Sequence, residues 1–347
     1  MLNIYSDTKI YVHCPAGVVT GGAELLHQLV SFLRDNNRNA YIVYFGNQPH
    51  NLPDDYRKYN IVTTEMIEDN NHNIEVFFEG IFNVVTRYSN TQKFLWWISV
   101  ENFYIFAYDY LSLSDLFHWN IRMGLKRSIE RLFMLLHGHH PCQGILKVKD
   151  LIKKEIPCGY QAEFIQDYLH KLGFSEIVPL KDYINIEHCI DFTPEGREDI
   201  VVYNPKKGFE FTQKLITSTP EIQWVPLQNM SRKELSATIR RAKLYVDFGF
   251  HPGKDRLPRE CAMNGCCIIT GKRGTASYFE DVPIPGKYKF NENQAKIEDI
   301  VSTIKWALHN YDNAINDFAY YRNIIRQEKA EFEQQIRNIF NLYNVLN

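Results

Sequence analysis

The sequence lacks three features that would each define a class of protein. Its seven cysteines form no C-x-x-C pair and no zinc-type spacing, which argues against a zinc site or a thioredoxin-like motif. No stretch approaches the run of about 18 apolar residues that spans a membrane. The first residues, MLNIYSDTKIYVHCP, have neither the basic segment nor the apolar run of a signal peptide. We therefore expect a cytoplasmic protein with reduced thiols.

An excess of positive charge is also missing. The chain has 39 Lys and Arg against 41 Asp and Glu, a formal net charge of -2. Binding to nucleic acid depends on concentrated positive charge, so we expect no nucleic-acid partner and only local anion sites. The 347 residues and the apolar fraction of 45% are typical of a globular protein with two domains.

Strand-like and helix-like patterns alternate in the first half. Short apolar runs typical of buried strands occur at residues 9–14, 39–45, 75–78, 94–100 and 158–159, with a further candidate at 132–136. Helical spacing occurs at residues 23–34 and 162–172, and Gly173 is placed to end the second helix in a left-handed conformation.

The same alternation begins again near residue 198. Strands are predicted at 199–203, 222–227, 244–248 and 266–270, and helices at 209–218, 231–241, 257–264, 297–309 and 314–340. Ser231 and Glu234 form the sequence of a capping box at one helix start. Alternating strands and helices predict an α/β fold with parallel sheets covered on both faces. We expect an N-terminal domain over 1–178, a C-terminal domain over 179–325, and a last helix over 326–347 that packs back on the N-terminal domain.

Two glycine-containing loops follow predicted strands. PAGVVTGGAE (15–24) brings Gly21 and Gly22 to a helix start, where backbone N–H groups favour an anion. It is neither a dinucleotide fingerprint nor a Walker A loop, and a simple turn is the alternative. VVYNPKKGFEF (201–211) places Lys207 and Gly208 before a helix. The start of a helix is the positive end of its dipole, so lysines there are not favoured by the helix itself. A bound phosphate would explain their presence, and a solvated lysine pair is the alternative.

The third loop, HPGKDRLPRE (251–260), concentrates basic residues before a helix. We place Glu260 in the first turn of that helix, where a carboxylate could accept hydrogen bonds from ribose hydroxyls. GKRGTAS (271–277), after the next strand, supplies another loop of small residues. Ligands of open α/β sheets bind at the carboxyl ends of strands, so the convergence of these loops predicts a ligand site in the second half.

These motifs, in this order, resemble the GT-B glycosyltransferases, especially the nucleotide-sugar-dependent family that builds bacterial surface polysaccharide and lipopolysaccharide. GVVTGGAE, VVYNPKKG, ELSATIRRAKLYV and PGKDRLPRECAMNGCCIITGKRGT match its successive motifs, most closely from residue 199 to 280. The resemblance implies two Rossmann-like, doubly wound domains facing a central cleft. One departure is that Pro252 stands where the family's E-x7-E pattern has its first glutamate, with Asp255 or His251 as partial replacements.

The resemblance also implies the site. The expected donor-binding residues are Gly21, Gly22, Asn204, Lys207, Gly208, His251, Lys254, Asp255, Arg256, Glu260, Gly274 and Thr275. Among these, Lys207, Lys254 and Arg256 would neutralise the diphosphate, and Gly274 and Thr275 would offer backbone donors. Glu101 and Glu24 are the catalytic candidates, with Glu101 as general base if the reaction inverts the anomeric centre.

The implied partners are a UDP-, GDP- or other nucleotide-sugar and a glycan or lipid-linked acceptor. We expect no cofactor and no metal. HGHHP (137–141) lacks partner ligands at a recognised spacing, and Trp96 and Trp97 are more typical of a core than of a sugar platform. A basic, amphipathic stretch at 119–131 fits either an ordinary surface helix or peripheral contact with the inner membrane. A catalytically inactive GT-B scaffold and another nucleotide-sugar enzyme remain the alternative functions.

Overall fold

A computed structural model describes residues 2–82, 84–106, 117, 121–137, 148–185 and 194–343. The chain divides into two compact units. Unit 1 comprises Met1–Gln161, Ile165–Lys181 and Phe332–Asn347, and unit 2 comprises Ala162–Phe164 and Asp182–Glu331.

Unit 1 is built on a six-stranded parallel sheet in the order β2-β1-β3-β4-β5-β6. The strands are β1 Lys9–Pro15, β2 Asn39–Phe45, β3 Ile74–Phe78, β4 Gln92–Trp97, β5 Cys158–Tyr160 and β6 Ile177–Pro179. The helices along this part of the chain are α1 Gly21–Asp35, α2 Val84–Arg87, α3 Val100–Phe106, α4 Ile121–Leu136, α5 Val148–Lys153 and α6 Glu163–Leu172. All five residues of β3 are buried, as expected for a central parallel strand with both faces covered.

Unit 2 is built on a five-stranded parallel sheet in the order β11-β10-β9-β7-β8. The strands are β7 Glu198–Tyr203, β8 Gln223–Pro226, β9 Ala242–Asp247, β10 Cys267–Gly271 and β11 Lys289–Phe290. The helices are α7 Phe209–Ser218, α8 Arg232–Arg241, α9 Arg256–Met263, α10 Ile297–His309, α11 Tyr311–Ala314 and α12 Ala319–Ile339. The two sheets confirm the predicted α/β class, with one parallel sheet in each half.

Tryptophan and phenylalanine side chains hold the end of the chain against the unit 1 sheet. Trp96 and Trp97 are fully buried, so neither offers an exposed platform. The Trp96 ring stacks on Phe332 with centroids 6.2 Å apart, and Phe94 packs on Phe340 at 6.0 Å. The final turns of α12 therefore bury aromatic surface in unit 1.

Several predicted boundaries are confirmed, and three predictions are wrong. Residues 39–45, 209–218 and 297–309 form the expected elements, and the capping box at Ser231 is present. Residues 132–136 belong to α4 rather than to a strand, because their apolar positions continue the helical spacing that begins at Ile121.

The other two corrections concern where a strand ends and where a helix begins. Strand β4 ends at Trp97 rather than at residue 100, because the buried carboxylate of Glu79 accepts the N–H groups of Ile98 and Ser99. Glu260 lies in the second turn of α9 rather than the first, because that helix begins at Arg256.

The described part of the chain contains no helix long and apolar enough to cross a membrane. Within the same residues, no group of three or more His, Cys, Asp or Glu is arranged to hold a metal ion. Residues 138–141 of the histidine-rich segment lie outside the described residues, as do Cys142 and Cys189. The other five cysteines are buried free thiols.

Candidate functional site

Three loops meet at the carboxyl edge of the unit 2 sheet. They are the β7 loop (204–208), the β9 loop (248–255) and the β10 loop (272–275). Strand β9 lies between β7 and β10 in the sheet, so its loop is flanked by the other two. The three strands are parallel, which brings all three loops to the same edge.

Two glycines let the loops touch through their backbones. Gly208 has φ of +62°, and a Cβ atom there would lie 2.4 Å from the carbonyl carbon of Phe248. Gly274 also has φ of +62°, and its Cβ would lie 2.0 Å from the carbonyl oxygen of His251. Side chains other than glycine are excluded at both positions by conformation and by space. Gly208 and Gly274 therefore bring the β7 and β10 loops into close backbone contact with the β9 loop, one on each side.

Thr275 fastens the same contact with hydrogen bonds. Its backbone N–H donates to the carbonyl of His251 at 2.9 Å, and its hydroxyl donates to the carbonyl of Gly253 at 2.9 Å. Thr275 is buried, so both of its donors are engaged within the protein. This geometry gives Thr275 a part in holding the loop, and leaves it no free N–H group for a phosphate.

A buried histidine lies between two carboxylates in the β9 loop. His251 Nε2 is 3.4 Å from Asp247 Oδ2, and His251 Nδ1 is 3.9 Å from Asp255 Oδ2. Burial acts to lower the pKa of His251, but the two carboxylates outweigh it and the pKa is raised. Burial acts to raise the pKa of Asp247, but His251 and hydrogen bonds from Tyr245 and Gly249 lower it. The pair is therefore stabilised as an imidazolium and a carboxylate.

Lys207 links the β7 loop to this group. Its Nζ lies 2.8 Å from Asp255 Oδ2, and the Lys207 side chain is 31% exposed. In the same loop, the side-chain oxygen of Asn204 accepts the backbone N–H of Lys206 at 3.0 Å, which fixes the turn. Lys207 thus combines a fixed position with access from solvent.

The other cations of the third motif belong to a buried ionic cluster, which we call the Arg259 cluster. Arg259 is fully buried and binds Glu328 through Nη1 at 2.8 Å and Asp182 through Nη2 at 2.9 Å. Lys254 Nζ lies 2.8 Å from Glu328 Oε1, with its side chain only 8% exposed. Arg256 Nε lies 3.9 Å from Asp182 Oδ2. Buried charges of this kind must be paired, which explains the two carboxylates.

The Arg259 cluster is tied directly to the β9 loop. The Arg259 guanidinium donates to the carbonyl of Lys254 at 2.7 Å and to that of Asp255 at 3.2 Å. Lys254 is therefore placed to set the loop conformation. Glu260 differs from these residues, because its carboxylate makes no hydrogen bond or ion pair with any described residue.

The glycine loop of unit 1 also lies at a carboxyl sheet edge. Gly21 and Gly22 are the first residues of α1, and the hydroxyl of Thr20 caps that helix by accepting the N–H of Ala23. The carboxylate of Glu24 is buried, where it accepts a hydrogen bond from Tyr59 at 2.7 Å and pairs with Lys58 at 2.9 Å. Glu24 is thus engaged within the fold.

A cavity of about 520 Å³ opens beside this helix start. Its lining is mostly apolar and comes from the ends of β1, β2 and β3 with the residues after them, from the first turns of α1 with the loop before it, and from the segment after β4: Pro15, Val18, Thr20, Gly22, Ala23, Leu26, Phe45, Phe78, Gly80, Ile81 and Ile98. The volume is within the usual range for small-molecule sites. The unit 1 sheet therefore has a ligand-sized cavity at the edge where α/β proteins bind ligands.

Glu101 lies in the first turn of α3 and is half-buried. Its carboxylate makes no hydrogen bond or ion pair with any other described residue. Glu79, which the motifs do not single out, is fully buried and engaged by the N–H groups that precede α3. Of these two carboxylates, only that of Glu101 has no hydrogen bond or ion pair with the described residues.

Sequence reasoning missed three acidic residues that organise the unit 2 loops: Asp182, Asp247 and Glu328. The sequence around Asp247 indicates a special role, because it is a charged residue at the end of an apolar strand. The sequence around Asp182 and Glu328 gives no such indication, since each lies far along the chain from the cations that it binds.

No protein-family model matches the sequence, and no curated protein matches it. Solved structures do resemble the fold. Sucrose-phosphate synthase from Thermosynechococcus elongatus is 10% identical with a TM-score of 0.61, over 96% of this chain and 98% of that one. HepE from Anabaena, solved with UDP and glucose, is 10% identical with a TM-score of 0.61, over 96% and 99%. OtsA is 10% identical with a TM-score of 0.55, over 98% and 100%. At this identity the likeness establishes the fold, which is GT-B with two Rossmann-like parallel sheets.

Proposed function

We propose that the protein is a glycosyltransferase and that unit 2 binds its nucleotide-sugar donor. The observation that supports this most strongly is the convergence of the β7, β9 and β10 loops at one sheet edge, where Lys207 of the β7 loop is partly exposed. The GT-B fold supports the same conclusion, and HepE, which shares the fold, has been solved with UDP and glucose.

The donor diphosphate is proposed to lie against Lys207 and the start of α9. When the glycosidic bond to the diphosphate breaks, the bonding electrons leave with the diphosphate, and its negative charge grows. A lysine and backbone N–H groups at a helix start stabilise that charge, so we propose transfer without a metal ion. Arg256, whose side chain is 19% exposed, is the second candidate cation. Lys254 is proposed to act through the loop, because it is buried against Glu328.

Glu260 is proposed to bind the ribose of the donor. Its carboxylate has no partner among the described residues and lies in α9, just after the β9 loop. An ionised carboxylate accepts hydrogen bonds only, which suits the two hydroxyls of a ribose. The amide of Asn204 is proposed to face the same ligand from the β7 loop.

Unit 1 is proposed to bind the acceptor, a glycan or a lipid-linked glycan, at the cavity beside α1. If transfer inverts the anomeric centre, Glu101 is the proposed base that takes the proton from the acceptor hydroxyl. Glu24 is a weaker candidate, because Tyr59 and Lys58 already engage its carboxylate. We propose a role in bacterial surface polysaccharide or lipopolysaccharide synthesis, at the cytoplasmic face of the inner membrane, from the motif resemblance.

The donor claim is tested by calorimetric titration with a panel of UDP-, GDP- and other nucleotide-sugars, followed by a hydrolysis assay. Lys207→Met is expected to weaken donor binding about tenfold or more, because it removes a charge-assisted contact to phosphate. Lys305→Met is the control, since Lys305 also forms an ion pair with a carboxylate, that of Glu221, but lies at the amino end of the sheet.

The outcomes separate the alternatives. Tight binding with sugar transfer or hydrolysis supports the enzyme. Binding without any turnover, with every acceptor supplied, would establish the inactive GT-B scaffold instead. No binding by any nucleotide-sugar would refute the donor site itself.

A further inference from the structure

Helix α4 exposes a continuous stripe of large apolar side chains. We define the α4 stripe as six residues of this helix whose exposed fractions range from 51% to 75%: Ile121, Leu125, Ile129, Leu132, Phe133 and Leu136. Each lies three or four residues from another member, and Leu132 and Phe133 are adjacent, which places all six on one face of the helix. Single exposed apolar residues are common on proteins, but a row of six on one helix marks an interaction surface.

Another side of α4 faces the protein. Gly124 is buried, and the guanidinium of Arg127 donates to the carbonyl of Tyr104 in α3. The hydroxyl of Ser128 donates to the carbonyl of Gly124, one turn earlier in the same helix, at 2.8 Å. Gly124 and Arg127 therefore lie on the side of α4 that contacts unit 1, while the α4 stripe is exposed.

Positive charge borders the stripe. The helix contains four basic residues and one acidic residue, although the whole chain carries a net charge of -2. Arg122 and Lys126 are exposed, each directly after a residue of the α4 stripe in the chain. Lys126 lies 3.8 Å from Glu130, and both side chains are largely exposed, so this pair is screened by solvent and holds Lys126 weakly.

We propose that the α4 stripe inserts into the surface of a bilayer that contains anionic lipids. A helix lying in the headgroup region buries its apolar face among acyl chains and directs lysine and arginine at lipid phosphates. The charge of α4 favours this occupant over a second copy of the chain, because two such helices would bring like charges together. The proposal deepens the proposed function in one respect, since a bilayer is where a lipid-linked acceptor would be found.

The test is co-sedimentation of the full-length protein with vesicles, without substrate. Binding is expected with phosphatidylcholine mixed with phosphatidylglycerol, to weaken with added salt, and to be poor with phosphatidylcholine alone. Ile129→Gln/Phe133→Gln is expected to weaken vesicle binding about tenfold or more, because it removes two apolar side chains whose transfer from water into the bilayer favours binding. Both residues are exposed and glutamine favours helix, so the variant is expected to fold.

Val62→Gln/Met66→Gln is the matched control, since it removes two exposed apolar residues of unit 1 outside α4. The proposal is overturned if the protein binds no vesicles, or if the α4 variant binds as tightly as the control. It is also overturned if light scattering shows a dimer that the α4 variant alone dissociates. Donor titration on the same samples separates the two ideas: loss of vesicle binding with intact donor binding concerns α4, and the converse concerns the proposed function.

Discussion

The Arg259 cluster makes a sharp prediction for Glu328→Gln. Glu328 is 1% exposed and lies 2.8 Å from both Lys254 Nζ and Arg259 Nη1. Glutamine keeps the shape of the side chain but removes its charge, so Lys254 and Arg259 would lose the carboxylate that they share. Breaking a buried ion pair in this way costs about 3 kcal/mol or more. For a unit of this size, that loss corresponds to a fall in melting temperature of roughly 6–12 °C.

The assay is thermal unfolding followed by circular dichroism. Glu198→Gln is the control, because Glu198 binds Arg241 through two hydrogen bonds of 2.6 and 2.8 Å but both side chains are about half exposed. An exposed pair contributes about 0–1 kcal/mol, so its melting temperature should change little. Equal shifts in the two variants would refute the view that burial makes the Arg259 cluster important.

Two further predictions concern unit 2. Gly274→Ala is expected to cost about 3 kcal/mol or more and to weaken donor binding, because φ of +62° with ψ of -137° suits glycine alone and the new methyl would meet His251. In urea unfolding, Gly286→Ala should be nearly neutral, since nothing lies within 4 Å of its Cβ position, and similar losses in both variants would contradict this account. Burial raises the pKa of Asp281 from 3.8 to about 6, although its carboxylate accepts the N–H groups of Glu163 and Phe164. Between about pH 4 and 6 the folded protein keeps a proton on Asp281 that the unfolded chain has released. The protonated carboxyl therefore contributes its full stabilisation of the folded state below pH 4. That stabilisation, about 3 kcal/mol, is lost as the pH rises through 6. Asp281→Asn should remove that slope, and parallel stability curves for the two proteins would show that Asp281 does not titrate this way.

The parts of the fold that the sequence predicts are those decided by local pattern. Strand β2 and helix α10 have the predicted bounds, because their apolar periods and flanking polar residues are unambiguous. The end of β4 was missed because it depends on Glu79, a carboxylate that is distant in sequence and takes two N–H groups of the segment.

Local pattern also predicts the loops of the site. It does not predict the ion pairs and hydrogen bonds that these loops make. Glycines and lysines between a strand and a helix mark the β7 and β9 loops in the sequence itself. The pairing of Arg259 with Glu328, 69 residues away, is set by tertiary packing and has no local signature. A motif of clustered cations therefore predicts a charged site, but it does not tell a phosphate ligand from a buried ion pair.

Hydrogen–deuterium exchange with and without UDP-glucose tests the central claim most directly. Bound donor should slow exchange at residues 204–208, 248–255 and 272–275 together, because these three loops contact one another at the carboxyl edge of the unit 2 sheet. Lys207→Met should reduce that protection at equal ligand concentration, while Lys305→Met should not. Protection confined to other segments, with these loops unchanged at saturating ligand, would contradict the account.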